Sequence, residues 1–216
     1  MILWQANIGR GVTPAEFRTN LDRVLRAGGR RAVFAFQEID EADAPNEMDY
    51  LQDRTWRTHR IVGSTTAVPI LVPKHIAVIE EHETLACKGL AKFTPHRPIV
   101  EALLGLPSGV EAAVLNVHVP INRPQTATRR RAARQALKAR ARSYDNGVWV
   151  SDTNTRRGWP TIARGERTVT DAGIDKAKAW AAPGRRVVVD RRRTVELSID
   201  GHNAHGAWIL WPRTNR

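Results

Sequence analysis

Val148-Trp149-Val150-Ser151-Asp152-Thr153-Asn154 is a short apolar run that closes on two polar side chains set two positions apart. The apolar part reads as a buried strand, and on an extended chain residues two apart point the same way, so Asp152 and Asn154 can face one ligand. An ionised Asp152 can orient a water or hold a metal. A neutral Asn154 can donate to a phosphate oxygen without adding repulsion. Taken alone, such a segment is an ordinary strand-to-turn junction; its weight comes from the recurrence of the same pattern elsewhere in the chain.

Asn7 closes the strand that begins at Ile2, and Gln37-Glu38 follows Ala32-Val33-Phe34-Ala35-Phe36. That second run is apolar without alternation, the mark of a strand covered on both faces. Asn116-Val117-His118 ends the run from Ala112, Asp175 closes Ala172-Gly173-Ile174, and His205 lies just before the apolar run Ala207 to Trp211. Strands that stop at one sheet edge bring such groups together across long sequence distances. Carboxylates, imidazoles and carboxamides meeting in one cleft suit a divalent metal, an activated water and a phosphate. Glu38 fits a hard cation, since Mg²⁺ prefers one or two carboxylates plus water and substrate phosphate. Asp175 can fix the tautomer of a histidine and raise its basicity.

Between these clusters a helix is signalled at Thr13-Pro14-Ala15-Glu16, with a capping residue, a proline at the first helical position and a capping box, ending at Gly28-Gly29. A second helix is predicted from Thr126 to about Ser143, with Ala133, Ala136 and Leu137 as a narrow apolar stripe. Further strands are expected at 60–62, 68–72, 76–79, 99–103, 187–189 and 195–199. Many strands with few helices predict an α/β (α+β) sandwich, read here as one domain over residues 1–216. Gly9-Arg10-Gly11 lacks the third glycine and the spacing of a dinucleotide loop.

Charge points to the partner. The chain of 216 residues carries 34 Lys and Arg against 22 Asp and Glu, a net charge of +12, which favours a polyanion. Seven acids and no base lie from Glu38 to Asp53, whereas Arg123 to Arg142 holds eight bases and no acid. The basic helix, through Arg129, Arg130 and Arg134, and the pair Arg156 and Arg157 are therefore the expected nucleic-acid-binding groups. Trp159 and Trp180 could stack on bases, but a Trp in such a chain is more often core or surface packing. The one cysteine, Cys87, excludes an intramolecular disulfide framework. No stretch approaches the ~20 apolar residues of a membrane span, and the amino terminus has no leader pattern. A soluble, cytoplasmic monomer is expected.

The order and spacing of the clusters resemble the endonuclease/exonuclease/phosphatase superfamily, the DNase I-like fold, over essentially the whole chain. Trp4-Gln5-Ala6-Asn7 resembles its first-strand asparagine motif, Phe36-Gln37-Glu38 its Gln-Glu metal motif, and Asn116-Val117-His118-Val119 its Asn-x-His element. Ser151-Asp152-Thr153-Asn154 resembles the Gly-Asp-Phe-Asn signature, Ile174-Asp175 the later Ile-Asp strand, and His205-Gly206-Ala207 the closing Ser-Asp-His segment. The resemblance implies a four-layer α/β/β/α sandwich, dependence on Mg²⁺ or Mn²⁺, and attack of water on a phosphoester. It also implies roles. Asp175 would orient His205 as general base, Glu38 would hold the metal, Asp152 would position water or metal, and Asn7, Asn154 and His118 would bind phosphate oxygens. Ser151 and Thr153 depart from the usual Gly and Phe, and Ala204 stands in place of the Asp before the last histidine. His205 is preferred to His202 as the base because its distance to the final strand fits better. With the basic surface, these roles make a nuclease acting on DNA or RNA the leading expectation, DNA ahead of RNA. A small-molecule or lipid phosphatase and a noncatalytic nucleic-acid-binding protein are the alternatives.

Overall fold

The computed structural model describes residues 1–9, 12–39, 46–89, 96–121, 123–155, 159–172, 174–199 and 202–214. Two six-stranded sheets lie face to face, with helices on their outer faces. One sheet comprises β1 (Ile2–Asn7), β2 (Ala32–Gln37), β3 (His59–Val62), β4 (Ile70–Pro73), β11 (Val188–Glu196) and β12 (Asn203–Leu210), in the order β11-β12-β1-β2-β4-β3. The other comprises β5 (Ala77–Cys87), β6 (Arg97–Gly105), β7 (Glu111–His118), β8 (Gly147–Asp152), β9 (Arg167–Ala172) and β10 (Asp175–Trp180), in the order β5-β6-β7-β8-β10-β9. Helices α1 (Pro14–Gly28) and α2 (Glu47–Thr55) belong to the first sheet's outer layer, and α3 (Ala127–Ala141) to the second's. Fold class and layering are therefore as the sequence predicts: an α+β sandwich of four layers. Among the described residues no helix is long and apolar enough to cross a membrane.

Each layer boundary follows from the sequence. Leu3, Val33, Ala35, Val100, Val114, Val148, Val150 and Ala207 fill the space between the sheets. Trp4, Phe34 and Phe36, on the opposite face of their strands, meet Phe17, Leu21 and Val24 of α1. Strands buried on both faces need no alternation, which is why β2 and β8 are continuous apolar runs. α1 starts where its signal lies: Glu16 N–H donates to Thr13 Oγ1 and the Thr13 N–H to Glu16 Oε2, closing the capping box.

β1 and β2 run parallel with Asn7 opposite Gln37, and β7 and β8 run parallel with His118 opposite Asp152. Parallel strands in register end together, so both pairs deliver their polar termini to one edge of the sandwich. Asn116 bolts the sheets together there. It accepts from Gln37 Nε2 at 2.6 Å, and its own Nδ2 donates to the Phe36 and Val68 carbonyls at 2.7 and 3.0 Å. Asn116 and Gln37 are thereby spent on architecture.

Four elements depart from expectation. The two predicted strands at 187–189 and 195–199 form one strand, β11, interrupted by a bulge between Asp190 and Arg193 with Arg191 at φ 49°. α2 and β9 carry no periodic apolar signal and are held by packing and pairing. β12 begins at Asn203 rather than near Ala207, because its first residues already pair with β11 and β1.

Candidate active site

At the shared edge, Asp152 is the most heavily supported side chain. Its Oδ2 accepts from Asn7 Nδ2 at 3.1 Å, across the two sheets, and its Oδ1 accepts from the Asn154 backbone N–H at 2.7 Å. Asn154 takes up φ 49° to turn that N–H inward, a conformation Asn tolerates better than most residues. Its own Nδ2 donates to Val119 O at 2.7 Å and lies 3.1 Å from His118 Nε2. His118 Nε2 is in turn 3.5 Å from both Glu38 Oε1 and Asp152 Oδ2.

Glu38 is placed by its backbone. It follows β2 at φ 62°, and its carbonyl sits so near Gly9 that a Cβ at that position would come within 1.5 Å of the oxygen. Gly9 is thus required by close approach of two loops. Asn7 Oδ1 is buried and, among the described residues, accepts no hydrogen bond, which leaves an acceptor beside the carboxylates.

Asp175, opposite Asp152 in the β8–β10 ladder, takes its histidine from the last loop. That histidine is His202. Its Nδ1 lies 3.1 and 3.3 Å from the two Asp175 oxygens, and its Nε2 faces Asp152 Oδ2 at 4.0 Å. Burial pushes the Asp175 carboxyl up to about 6, against the smaller lowering by His202. For His202, burial acts downward, but the hydrogen bond and charge of Asp175, with the charges of Asp152 and Glu38, outweigh it and raise the imidazole above its usual value.

The expected partnership of Asp175 with His205 is therefore corrected. His205 lies inside β12, opposite Gln5 of β1 and Thr194 of β11, with Nδ1 3.2 Å from Thr194 Oγ1. Burial lowers its imidazole. Because the strand starts four residues earlier than the apolar run, His202 stands at the strand's mouth and His205 within it. The residue before the site histidine is then Gly201, not Ala204; Gly201 and Asp200 lie outside the described residues. The signal was present in the sequence, since His202 follows Ile199 by three positions just as a loop closes, but apolarity alone could not set the register.

The basic helix is also corrected. Arg129 and Arg130 are only 7% and 4% exposed. Arg129 Nε donates to Lys88 O at 2.8 Å, while Arg130 Nη1 donates to Pro120 O at 2.7 Å and to Thr153 O at 3.2 Å. Arg130 thereby ties together the loops leaving β7 and β8, which carry His118 and Asp152. Arg134 is half-buried, its guanidinium 5.3 Å from the Trp159 ring centre. Trp159 and Trp180 are buried, so neither offers a face to a base. Arg156 and Arg157 lie outside the described residues.

The donor set suits a hard cation. Ligand atoms of Asp152, Asp175 and His202 all lie within 4.8 Å of one another, and Glu38 and the unused Asn7 oxygen stand beside them. With His202 and Asp175 paired to each other, oxygens of Glu38, Asp152 and Asn7 are the donors turned to a cation, and an all-oxygen set matches Mg²⁺ or Mn²⁺ better than a soft metal.

No protein-family model and no curated protein matches the chain. Solved structures do. TDP2 from D. rerio, complexed with single-strand DNA product, superposes with a TM-score of 0.75 at 13% identity, covering 97% of this chain and 98% of that one. An endonuclease/exonuclease/phosphatase protein from Bacteroides vulgatus gives 0.74 at 12% identity, with 98% of each chain covered. A mannosyl-6-phosphatase from Bacteroides thetaiotaomicron gives 0.69 at 10% identity, covering 97% of this chain and 99% of that one. Layer order and these likenesses agree on the fold: the chain is folded as the solved endonuclease/exonuclease/phosphatase protein is, in a DNase I-like sandwich.

Proposed function

We propose that the protein is a divalent-metal-dependent phosphodiesterase that hydrolyses nucleic acid, DNA ahead of RNA. The observation that carries this reading is the line Asp175–His202–Asp152 at the sheet edge, with Asn7, Glu38 and His118 around it. Asp175 accepts from His202 Nδ1, which leaves Nε2 as the basic nitrogen turned toward the cleft. Nε2 takes a proton from water as the water oxygen bonds to phosphorus, and the bond to the leaving oxygen breaks. Asp152, held on both oxygens by Asn7 and Asn154, orients that water. His118 and the two carboxamides are the neighbours of the phosphate oxygens. Glu38, with Asp152 and the Asn7 oxygen, would hold the cation, which when bound neutralises charge on the phosphate and the leaving alkoxide.

A net charge of +12 favours a polyanionic substrate. The DNA product held by the D. rerio relative in fold supports the same class. The likeness to a mannosyl-6-phosphatase favours a second reading, a phosphomonoesterase, which inorganic phosphate release would reveal.

The test is incubation with supercoiled plasmid, single-stranded DNA and RNA, each with Mg²⁺, Mn²⁺ or chelator. DNA cleavage with either metal and none with chelator is expected. His202→Ala should lower turnover by roughly 10²- to 10⁴-fold, the usual worth of a general base, whereas His205→Ala should leave the rate within about threefold, having no place in the chemistry. Loss of activity in His205→Ala with a working His202→Ala would overturn the assignment of the base.

A further inference from the structure

Beyond the edge that carries Asp152, the outer face of the first sheet holds a strip that no helix among the described residues covers. Trp208 and Leu210, two apart on β12, are 37% and 45% exposed. Earlier on the same strand Ala204 and Gly206 are buried under Trp4 and α1, so the cover ends between Gly206 and Trp208. Ile2 stands opposite Trp208, and Val188 opposite Leu210. An apolar sheet face left open in this way is informative.

The adjoining edge strand supplies charge. From Arg185 to Arg193 the sequence holds five arginines and one acid, Asp190. The bulge in β11 turns Arg191 back onto the patch, its guanidinium 4.5 Å from the Trp208 ring centre. This geometry has a cost, since a non-glycine residue at φ 49° is held in a sparsely populated region. The Arg191 N–H donates to Asp190 Oδ1 at 2.7 Å, which fixes the turn. Arg192 is anchored on the far side by donating to the Val169 and Thr168 carbonyls at 3.1 and 2.7 Å. Arg193 is exposed and pairs in register with Gly206, on the Trp208 face. Bulges re-aim side chains at sheet edges, and this one delivers a guanidinium to an indole.

We infer that this strip is an accessory binding surface for single-stranded nucleic acid: an unpaired base displaces Arg191 from the Trp208 ring and stacks there, and the released Arg191, with Arg193, meets the flanking phosphates. Stacking on an exposed indole requires a base free of its partner, and arginines bordering the ring neutralise the backbone on either side. A protein partner matching this strip would need a compact acidic edge. A polyanion needs only the spacing already present. Trp208 lies five residues along β12 from Asn203, which follows His202, about 17 Å on an extended strand, so a strand of several nucleotides is long enough to span the interval. The inference deepens the nuclease reading and rests on it for its biological use, but the binding itself can be measured apart from hydrolysis.

The test is fluorescence anisotropy of a labelled 15-nucleotide oligothymidylate in chelator, where no cleavage occurs, beside hydrolysis of bis(p-nitrophenyl) phosphate with Mn²⁺. Trp208→Ala and Arg193→Glu should each weaken oligonucleotide binding about tenfold, Trp208→Phe should keep it within about threefold, and turnover of the small diester should be unchanged in all three. Thermal unfolding identifies any variant that fails to fold, in which case Arg193→Glu and Trp208→Phe decide. Unaltered affinity in folded Trp208→Ala and Arg193→Glu overturns the inference, as does equal weakening for a blunt duplex of the same length, or a change of oligomeric state without loss of DNA binding. Failure of the wild type to hydrolyse the small diester would instead count against the hydrolase reading and leave the binding result standing.

Discussion

Asp175 shows what burying a carboxyl does to the protein that carries it. Its folded carboxyl titrates at about 6, above the ordinary 3.8, because it is buried. A group raised in this way supports the fold only at low pH. Its contribution is complete below about pH 4 and is lost as pH climbs through 6, at a cost approaching about 3 kcal/mol for a shift of that size. The raised imidazole of His202 runs in the same direction, its support fading as pH rises through its folded value. Metal-free protein should therefore lose stability between pH 5 and pH 8. Asp175→Asn, which removes the ionising group but also the histidine's charged partner, should flatten that dependence and match or exceed the wild type by roughly 1 kcal/mol at pH 8. Urea unfolding at pH 5, 6.5 and 8 in chelator measures it, and a variant weaker than wild type at pH 8 contradicts the assignment.

At the scale of elements, α3 is the instructive one. Its arginine run reads as a solvated basic face, yet two of the guanidinia turn inward to hold loop carbonyls. Burial lowers the Arg130 guanidinium, with Arg134 acting the same way and Asp152 opposing. Arg130→Met keeps the apolar stem but strands the Pro120 and Thr153 carbonyls, and buried polar groups left unpaired cost about 1–3 kcal/mol. The variant is expected to lose stability by that amount in denaturant titration, with turnover falling further than substrate affinity because the loops of His118 and Asp152 loosen together. Wild-type stability in this variant would show that the two carbonyls have other donors.

On the scale of the molecule, the carboxylates of Glu38, Asp152 and Asp175 meet in a chain whose net charge is +12. Screening of that net charge and filling of the site by a cation both stabilise the fold, so they must be separated. Mg²⁺ or Mn²⁺ at about 100 times its Kd should add about 2.7 kcal/mol by mass action, seen as a higher Tm than in KCl of equal ionic strength. Asp152→Ala should abolish the difference. An equal rise with KCl alone would mean the acidic cluster holds no ion.

Two sheets, their outer helices and the identity of most polar groups at one edge were legible in the chain itself. Apolar runs that end in Asn7, Glu38, His118 and Asp152 state their own strand ends, and the Thr13–Glu16 box states the start of α1. Those signals are local, carried by side chains within one or two turns or strand residues of each other. Where β12 begins, and hence whether His202 or His205 meets Asp175, depends on pairing with β1 and β11 some 200 residues and a dozen residues away in sequence. Whether Arg129 and Arg130 face water or carbonyls depends on loops brought to α3 by folding. Register and burial are properties of neighbours, and only the tertiary structure supplies the neighbours.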